Sequence, residues 1–259
     1  MNRNLLSEVI HIYSRHLHKL YQQIPGHFEA EHIHEWRVGY KKLRTFLRLM
    51  DTTSNFPSAF KHLFKASGEI RDRQLLLDSF PDQSKLALPV YLNRVGQELF
   101  QAKEQFVTIA EDLSFEKMEK KFLDKLPDYL SDEQLKKFVA EKKGAIRLAL
   151  LAKENDISLH TIRKHLKDLL YAEKLYDQQW GLRFPVSLGI SEKVLVEITQ
   201  LAGDYNDLCI RVDFLKADNT LHLPSKEAEI IGQYRIEWEE MKDAAKTELL
   251  KKINSTLSL

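Results

Sequence analysis

Along nearly the whole chain, apolar residues recur three and four positions apart. Stretches that alternate β-branched and polar residues over a strand's length are missing. In "HIHEWRVGYKKLRTFLRLM", residues 32–50, Trp36, Tyr40, Leu43, Phe46, Leu47 and Met50 gather on one side of a helical wheel. This periodicity predicts helices at about 4–23, 28–50, 57–80, 86–112 and 115–126, then 132–155, 158–180, 191–216 and 226–257. Pro25, Pro57, Pro81, Pro127 and Pro185 fall between the periodic stretches, where a residue without an N–H ends a helix most cheaply. Ser131 followed by Gln134 reads as a capping box, and Ser158, Ser191 and Ser225 read as further N-caps. The chain is predicted to be all-α.

The second half of the pattern repeats the first. With His34 set against His160, an arginine follows at the third position (Arg37, Arg163), a lysine at the seventh (Lys41, Lys167) and a base at the fourteenth (Arg48, Lys174). Further on, "SGEIRDRQLLLDSF" aligns with "AGDYNDLCIRVDFL", matching Gly68 to Gly203, Asp72 to Asp207 and Asp78 to Asp213. Agreement of residue type and offset in two separate helices of each half points to a tandem duplication. The expected organisation is one domain made of two four-helix units, about 1–127 and 131–259.

The polar positions of these helices are unusual in their sign. On residues 32–50, His34, Arg37, Lys41, Arg44 and Arg48 fall within an arc of roughly 80° beside the apolar face, a stripe about 21 Å long. Lys42 adds a fifth cation to the span, and Glu35 is its single acid. The second half carries a wider stripe of His160, Arg163, Lys164, Lys167 and Lys174. Like charges one turn apart repel by tenths of a kcal/mol per pair, and a solvated helix face ordinarily interleaves glutamates. Such stripes call for a polyanion or for buried carboxylate partners. Arginine offers a bidentate fork to phosphate oxygens and lysine a point charge; histidine adds a donor whose charge grows as pH falls. A long, regularly charged anion suits two stripes better than a small metabolite. On the first helix, Arg15 and Lys19 lie one turn apart and offer a third basic strip.

Composition narrows the classes. Of 259 residues 43% are hydrophobic, enough for a sizeable core, and 39 bases nearly cancel 38 acids. No global field therefore attracts nucleic acid or membrane, so any electrostatic function rests on local segregation of charge. Nucleic acid is further disfavoured because the aromatic residues are spent on the apolar face instead of being interleaved as stacking platforms. Cys209 is the one cysteine, which rules out an intrachain disulfide and suits a reducing compartment; an inert, packed thiol is the ordinary role. No apolar run approaches the length of a membrane span, and the N-terminal stretch meets Glu8 and His11 too early for a signal-peptide core. The expectation is a soluble cytoplasmic protein.

The basic stripes also carry a resemblance. "HEWRVGYKKLR" is similar to the first signature of the CHAD family, the conserved histidine α-helical domain, and "LHTIRKHLKDLLYAEKLY" to its second. "GEIRD" and "GDYND" resemble the acidic motifs that follow. The resemblance spans nearly the whole chain. It implies two pseudo-symmetric four-helix bundles that bind inorganic polyphosphate through basic residues lining a central groove; some members associate with polyphosphate granules. Carried over by position, the implied phosphate contacts are His34, Arg37, Lys41, Lys42, Arg44 and Arg48, with His160, Arg163, Lys164, Lys167 and Lys174 from the second signature. The chain departs from the family pattern at Leu170, where arginine is usual, and at Lys41 and Lys42, where arginine is common. Fewer forks imply a weaker grip, above all in the second half.

Other residues have quieter expected roles. Asp72 and Asp207 are read as structural support, each orienting an arginine of its own half, and Tyr171 and Glu173 as closing the second stripe. His11, His16, His18, His32 and His34 lie close together, yet no H-E-x-x-H spacing accompanies them, so no metal is expected. No glycine-rich phosphate loop is present, nor the acid-and-base strands of the triphosphate tunnel enzymes that often accompany this domain. The reading is a non-enzymatic polyphosphate-binding module without catalytic residues or cofactor. A metal-dependent phosphohydrolase or other enzyme acting on a phosphorylated substrate is the alternative, which paired carboxylates near the basic face would favour.

Overall fold

The computed structural model describes residues 1–50, 56–216 and 222–256. Those residues form ten helices: α1 (Arg3–His27), α2 (Ala30–Leu49), α3 (Ser58–Ser79), α4 (Asp82–Ala87), α5 (Pro89–Glu111), α6 (Phe115–Asp124), α7 (Asp132–Leu150), α8 (Asp156–Trp180), α9 (Glu192–Phe214) and α10 (Ser225–Thr256). No strand occurs among them beyond a single antiparallel bridge, Asn2 to Tyr129. None of the helices is long and apolar enough to cross a membrane.

Local chemistry explains most of the boundaries. Ser131 and Gln134 form the expected capping box at the start of α7, and the Ser191 side chain accepts from Val194 N–H at α9. Several expectations are corrected. Asn155, not Ser158, caps α8, its side chain accepting from Ile157 N–H, so the helix begins two residues earlier than the pattern suggested. Ser225 is the first helical residue of α10, not its cap. The stretch 86–112 is divided, because Pro89 cannot donate within a helix but suits its first turn, where it starts α5 after the short α4. Pro25 sits inside the last turn of α1, which runs on to His27. There Phe28 takes a left-handed conformation, φ 52°. That backbone is held by Phe28 N–H to the Ile24 carbonyl (2.8 Å) and by Gln74 Nε2 to the Phe28 carbonyl (2.7 Å).

The helices pack in the same order in each half. α1 lies on α2, α2 on α3 and α3 on α5; α7 lies on α8, α8 on α9 and α9 on α10. The halves meet where α2 crosses α8, with a lighter contact between α3 and α9. A large core runs through both, including Leu17, Trp36, Leu43, Phe46, Leu166 and Leu169, each at most 2% exposed. A second, smaller cluster joins the far ends: Leu76, Phe80 and Tyr91 from the first half meet Val212, Ile231 and Trp238 from the second. Phe80 packs against Tyr234 at 5.1 Å and Trp238 at 5.2 Å between ring centres.

One carboxylate ties this second cluster together. Glu227 of α10 is 5% exposed, and its two oxygens accept the N–H groups of Val90 (3.1 Å) and Tyr91 (2.8 Å). These amides belong to the first turn of α5 and have no partner within that helix. A carboxylate at a helix N-terminus also meets the positive end of the dipole. E227A is therefore expected to lower stability by about 2–4 kcal/mol, since it leaves two amides unpaired and a small cavity. Urea denaturation followed by circular dichroism checks this; an unchanged midpoint would show that the bond does not hold the two halves.

Candidate anion-binding site

Helix α2 has a firmly buried side and a crowded basic one. Trp36, Tyr40, Leu43, Phe46 and Leu47 are all at most 3% exposed and fix its rotation. That rotation leaves Arg37, Lys41, Lys42, Arg44 and Arg48 half-buried, facing α3 and α8. On α8, burial of Leu159, Ile162, Leu166 and Leu169 likewise presents Arg163 and Lys167 toward α2. The two predicted stripes are thus brought together into a single seam, bordered by the large core on one side and the α3–α9 contact on the other.

Arg37 is the most tightly placed of these cations. Its Nη1 donates to the Phe64 carbonyl (2.6 Å) and to Ser67 Oγ (3.0 Å), and its guanidinium lies 4.4 Å from the centre of the Phe64 ring. A Cβ on Gly68 would sit 2.8 Å from that Nη1, so glycine there is what lets the guanidinium lie against α3. The matched Gly203 is looser, with Arg163 Nη2 4.0 Å from its ideal Cβ. The expected role of Asp72 changes accordingly. Arg37 spends its hydrogen bonds on Phe64 and Ser67, and Asp72 acts on it through charge at longer range. Burial raises the Asp72 carboxyl; Arg37 opposes this, and Asp207 across the seam adds to it. The two motif acids thus lie near enough for the charge of one to act on the other.

Around Lys41 the crowding is greatest. Burial and then the charges of Arg37, Arg163, Arg44 and Lys167 hold it down to about 7. Lys42 is lowered by burial and by Lys174, and Lys167 by burial, Arg163 and Lys174. Among the described residues, Lys41, Lys42, Arg44, Arg163 and Lys167 have no carboxylate within 4 Å. The Nε atoms of Arg44 and Arg163 are buried without a hydrogen-bond partner. Arg44 lies over the Tyr40 and Phe64 rings, at 5.9 and 5.7 Å. Tyr171 stands among Arg163, Arg44 and Asp168, its phenol raised chiefly by burial.

Arg48 differs from its neighbours. Its Nη1 donates to Asp168 Oδ2 at 2.9 Å; Thr45 Oγ1 donates to Asp168 Oδ1 at 3.0 Å, and Lys142 Nζ lies 3.2 Å from Oδ2. The Asp168 side chain is 4% exposed. Arg48 therefore has the buried carboxylate partner that the sequence left open as one use for a basic stripe. Neither Asp168 nor Lys142 was singled out from sequence, though Asp168 is an acid inside a stripe that otherwise reads as basic. Arg71 of α3 was also missed: its charge lowers both His34 and Arg37.

The remaining sites fall at the margins. His34 is exposed at the head of α2, lowered by partial burial and then by Arg71. His160 Nδ1 meets Asn206 Oδ1 of the second acidic motif at 3.1 Å. Lys164 is exposed, and Lys174 lies 4.0 Å from Glu192. Leu170, where arginine was expected, is 4% exposed and belongs to the core. Arg15 is not brought to the seam; it lines a depression of about 370 Å³ between α1 and α6, with His18, Phe115 and Glu119. Lys19 is exposed on the same helix. Cys209 is half-buried beside Tyr205, and burial raises its thiol. No group of three or more metal-ligating side chains occurs among the described residues.

Comparison with known proteins follows the same line. The family model described as CHAD domain matches residues 11–216. A crystal structure of the CHAD domain from the plant Ricinus communis superimposes with a TM-score of 0.75 at 16% identity, covering 100% of this chain and 92% of that one. No curated protein matches.

Two expected outcomes test the packing of the seam. G203A gains helix propensity without a clash and should raise stability by about 0.5–1 kcal/mol, whereas G68A must displace Arg37 and should gain nothing. Equal gains in urea midpoint would remove the close-approach role of Gly68. The second concerns pH. Between about 7 and the ordinary lysine value of 10.5, the unfolded chain keeps a proton on Lys41 that the folded protein has released, so stability should rise with pH across that window. K41M should stabilise the protein at pH 6 by about 1–4 kcal/mol and flatten the rise toward pH 9. A wild type no more stable at pH 9 than at pH 6, and unchanged by K41M, would mean that Lys41 is not under charge strain.

Proposed function

The chain belongs to the CHAD domain family, and from that premise we propose that it binds inorganic polyphosphate in the seam between α2 and α8, without turning it over. One observation carries the reading: the half-buried cations Lys41, Arg44, Arg163 and Lys167 crowd together, with Lys42 beside Lys174 at the seam's end, and among the described residues none of Lys41, Lys42, Arg44, Arg163 and Lys167 has a carboxylate within 4 Å. Burying like charges side by side raises the energy of the empty protein, and a polyanion removes that cost by supplying several linked negative charges at once. Phosphate oxygens match the forks of Arg37, Arg44 and Arg163, while the lysines neutralise the chain between them. His34, His160, Lys164 and Lys174 extend the basic surface at its ends. Arg15 and Lys19, on α1, stand apart from this site.

The proposed setting is cytoplasmic, including the surface of polyphosphate granules, with the protein holding the polymer as a non-enzymatic module. The competing reading, hydrolysis of a phosphorylated substrate, draws on the pair Asp72 and Asp207 beside the cations.

Calorimetric titration with long-chain polyphosphate, set beside RNA of equal phosphate content at physiological salt, tests both readings. Tight, salt-dependent binding to polyphosphate alone is expected. The triple variant K41A/R44A/R163A should lose about 100-fold or more in affinity while keeping its helical circular dichroism. A folded triple variant that still binds would remove the site assignment. Orthophosphate release in the presence of magnesium, abolished by D72N, would replace binding with catalysis.

A further inference from the structure

The two ends of the α2–α8 crossing match in position and differ in charge. Counted from His34 and His160, Arg48 corresponds to Lys174, and Lys42 corresponds to Asp168. At one end a cation of α2 therefore meets an anion of α8: Arg48 on Asp168 at 2.9 Å. At the matching end two cations meet, with Lys174 close enough to depress Lys42. Two acids stand near that open end: Glu192, 4.0 Å from Lys174 and 53% exposed at its side chain, where water screens it, and Glu173, whose carboxyl is raised by burial and by Glu192 while Arg183 and Lys174 oppose the shift.

The closed end is organised like a phosphate subsite. A hydroxyl (Thr45, 3.0 Å), a guanidinium (Arg48, 2.9 Å) and an ammonium (Lys142, 3.2 Å) converge on the two oxygens of Asp168. This is the donor set that grips a phosphate oxygen when no carboxylate of the protein stands there. His165 and Tyr171 also feel Asp168: His165 is lowered by burial and Lys142, with its Nδ1 buried and unpartnered, and the Tyr171 phenol is raised by burial.

We propose that Asp168 fills an anion subsite from within and so closes one end of the seam, leaving an external phosphate chain to be gripped from Lys41 and Arg44 toward the Lys42–Lys174 end. The inference rests on the polyphosphate reading of the same seam. Asp168 is then a specificity determinant: it sets how many phosphates the protein engages and takes Arg48 and Lys142 out of the binding count.

The test measures polyphosphate affinity as a function of potassium chloride for wild type, D168N, R48Q, K42Q and D168N/R48Q, with folding checked by circular dichroism. D168N is expected to bind about tenfold tighter with a salt slope steeper by about one to two, because two more cations become available to the polymer. R48Q added to D168N should abolish that gain. In the presence of Asp168, R48Q should change affinity by less than about 2-fold, against roughly tenfold weakening by K42Q. A folded D168N with wild-type affinity and slope, or R48Q as damaging as K42Q, overturns the proposal and leaves the binding reading intact. Wild type that does not bind polyphosphate overturns both. Should D168N fail to fold, the comparison of R48Q with K42Q, both retaining Asp168, decides alone.

Discussion

The architecture turns on like-charge crowding in a place that water only partly reaches. Lys41 stands among Arg37, Arg44, Arg163 and Lys167, and burial adds to their mutual repulsion. Nothing local favours this arrangement, so it has to be imposed from outside. The large core fixes the rotation of α2 through Trp36, Phe46 and Leu47, and that of α8 through Leu166 and Leu169. The smaller cluster around Phe80 and Trp238 fixes the far ends. Two apolar contacts hold the halves together, and the cations occupy the interval between them. Each large side chain fully buried in these clusters stabilises by about 1.5–3 kcal/mol, enough in sum to outweigh the repulsion of a few half-screened charges.

Several details serve this imposed geometry. Gly68 allows a guanidinium to lie directly on α3, so that Arg37 is anchored by a carbonyl, a hydroxyl and a ring and not by an acid. The anchoring matters because an acid in contact would neutralise the very charge being positioned. Neutral acceptors orient the fork and leave its charge available. Asp72 and Asp207 remain near enough to moderate the field, with no contact ion pair to either among the described residues; burial raises the Asp72 carboxyl, with Arg37 opposing and Asp207 adding to it. Charge in the seam is thus tuned at a distance and quenched by a buried carboxylate at the end where Asp168 receives Arg48 and Lys142.

The parts legible in the sequence were those with a period. The spacing of Trp36, Tyr40, Leu43 and Phe46 specifies a helix and its buried side, and the adjoining arc of Arg37, Lys41, Arg44 and Arg48 follows from the same geometry. The CHAD family was readable in those residues as well. What escaped was pairing between segments far apart in the chain. Asp168 meets Thr45 and Arg48 across more than 100 residues, and Glu227 meets Val90 and Tyr91 across a similar distance. Helical periodicity carries no information about such partners. A weak signal existed all the same: one acid within a basic stripe is a local inconsistency, and inconsistencies of this kind tend to be resolved by a distant contact. Pro89 is a different case, since its ability to start a helix was visible and the longer apolar period obscured it.

Duplication gives two equivalent stripes, and symmetry alone would give a site with equivalent ends. Three positions break that equivalence: Asp168 stands against Lys42, Leu170 against Arg44, and Lys174 against Arg48. The first two move positive charge toward the first half; the third keeps a cation in both but gives the bidentate fork to the first. Leu170 has gone into the core, Asp168 has turned inward onto Arg48, and the cations left without acid contacts are weighted toward α2. A symmetric polymer such as polyphosphate has no direction of its own, so an asymmetric groove cannot select for one. On the proposed binding, it sets where the polymer ends or leaves the protein. Under that proposal, a seam closed by an internal carboxylate at one end and open between two lysines at the other favours a chain that enters from the open side, over one that passes straight through.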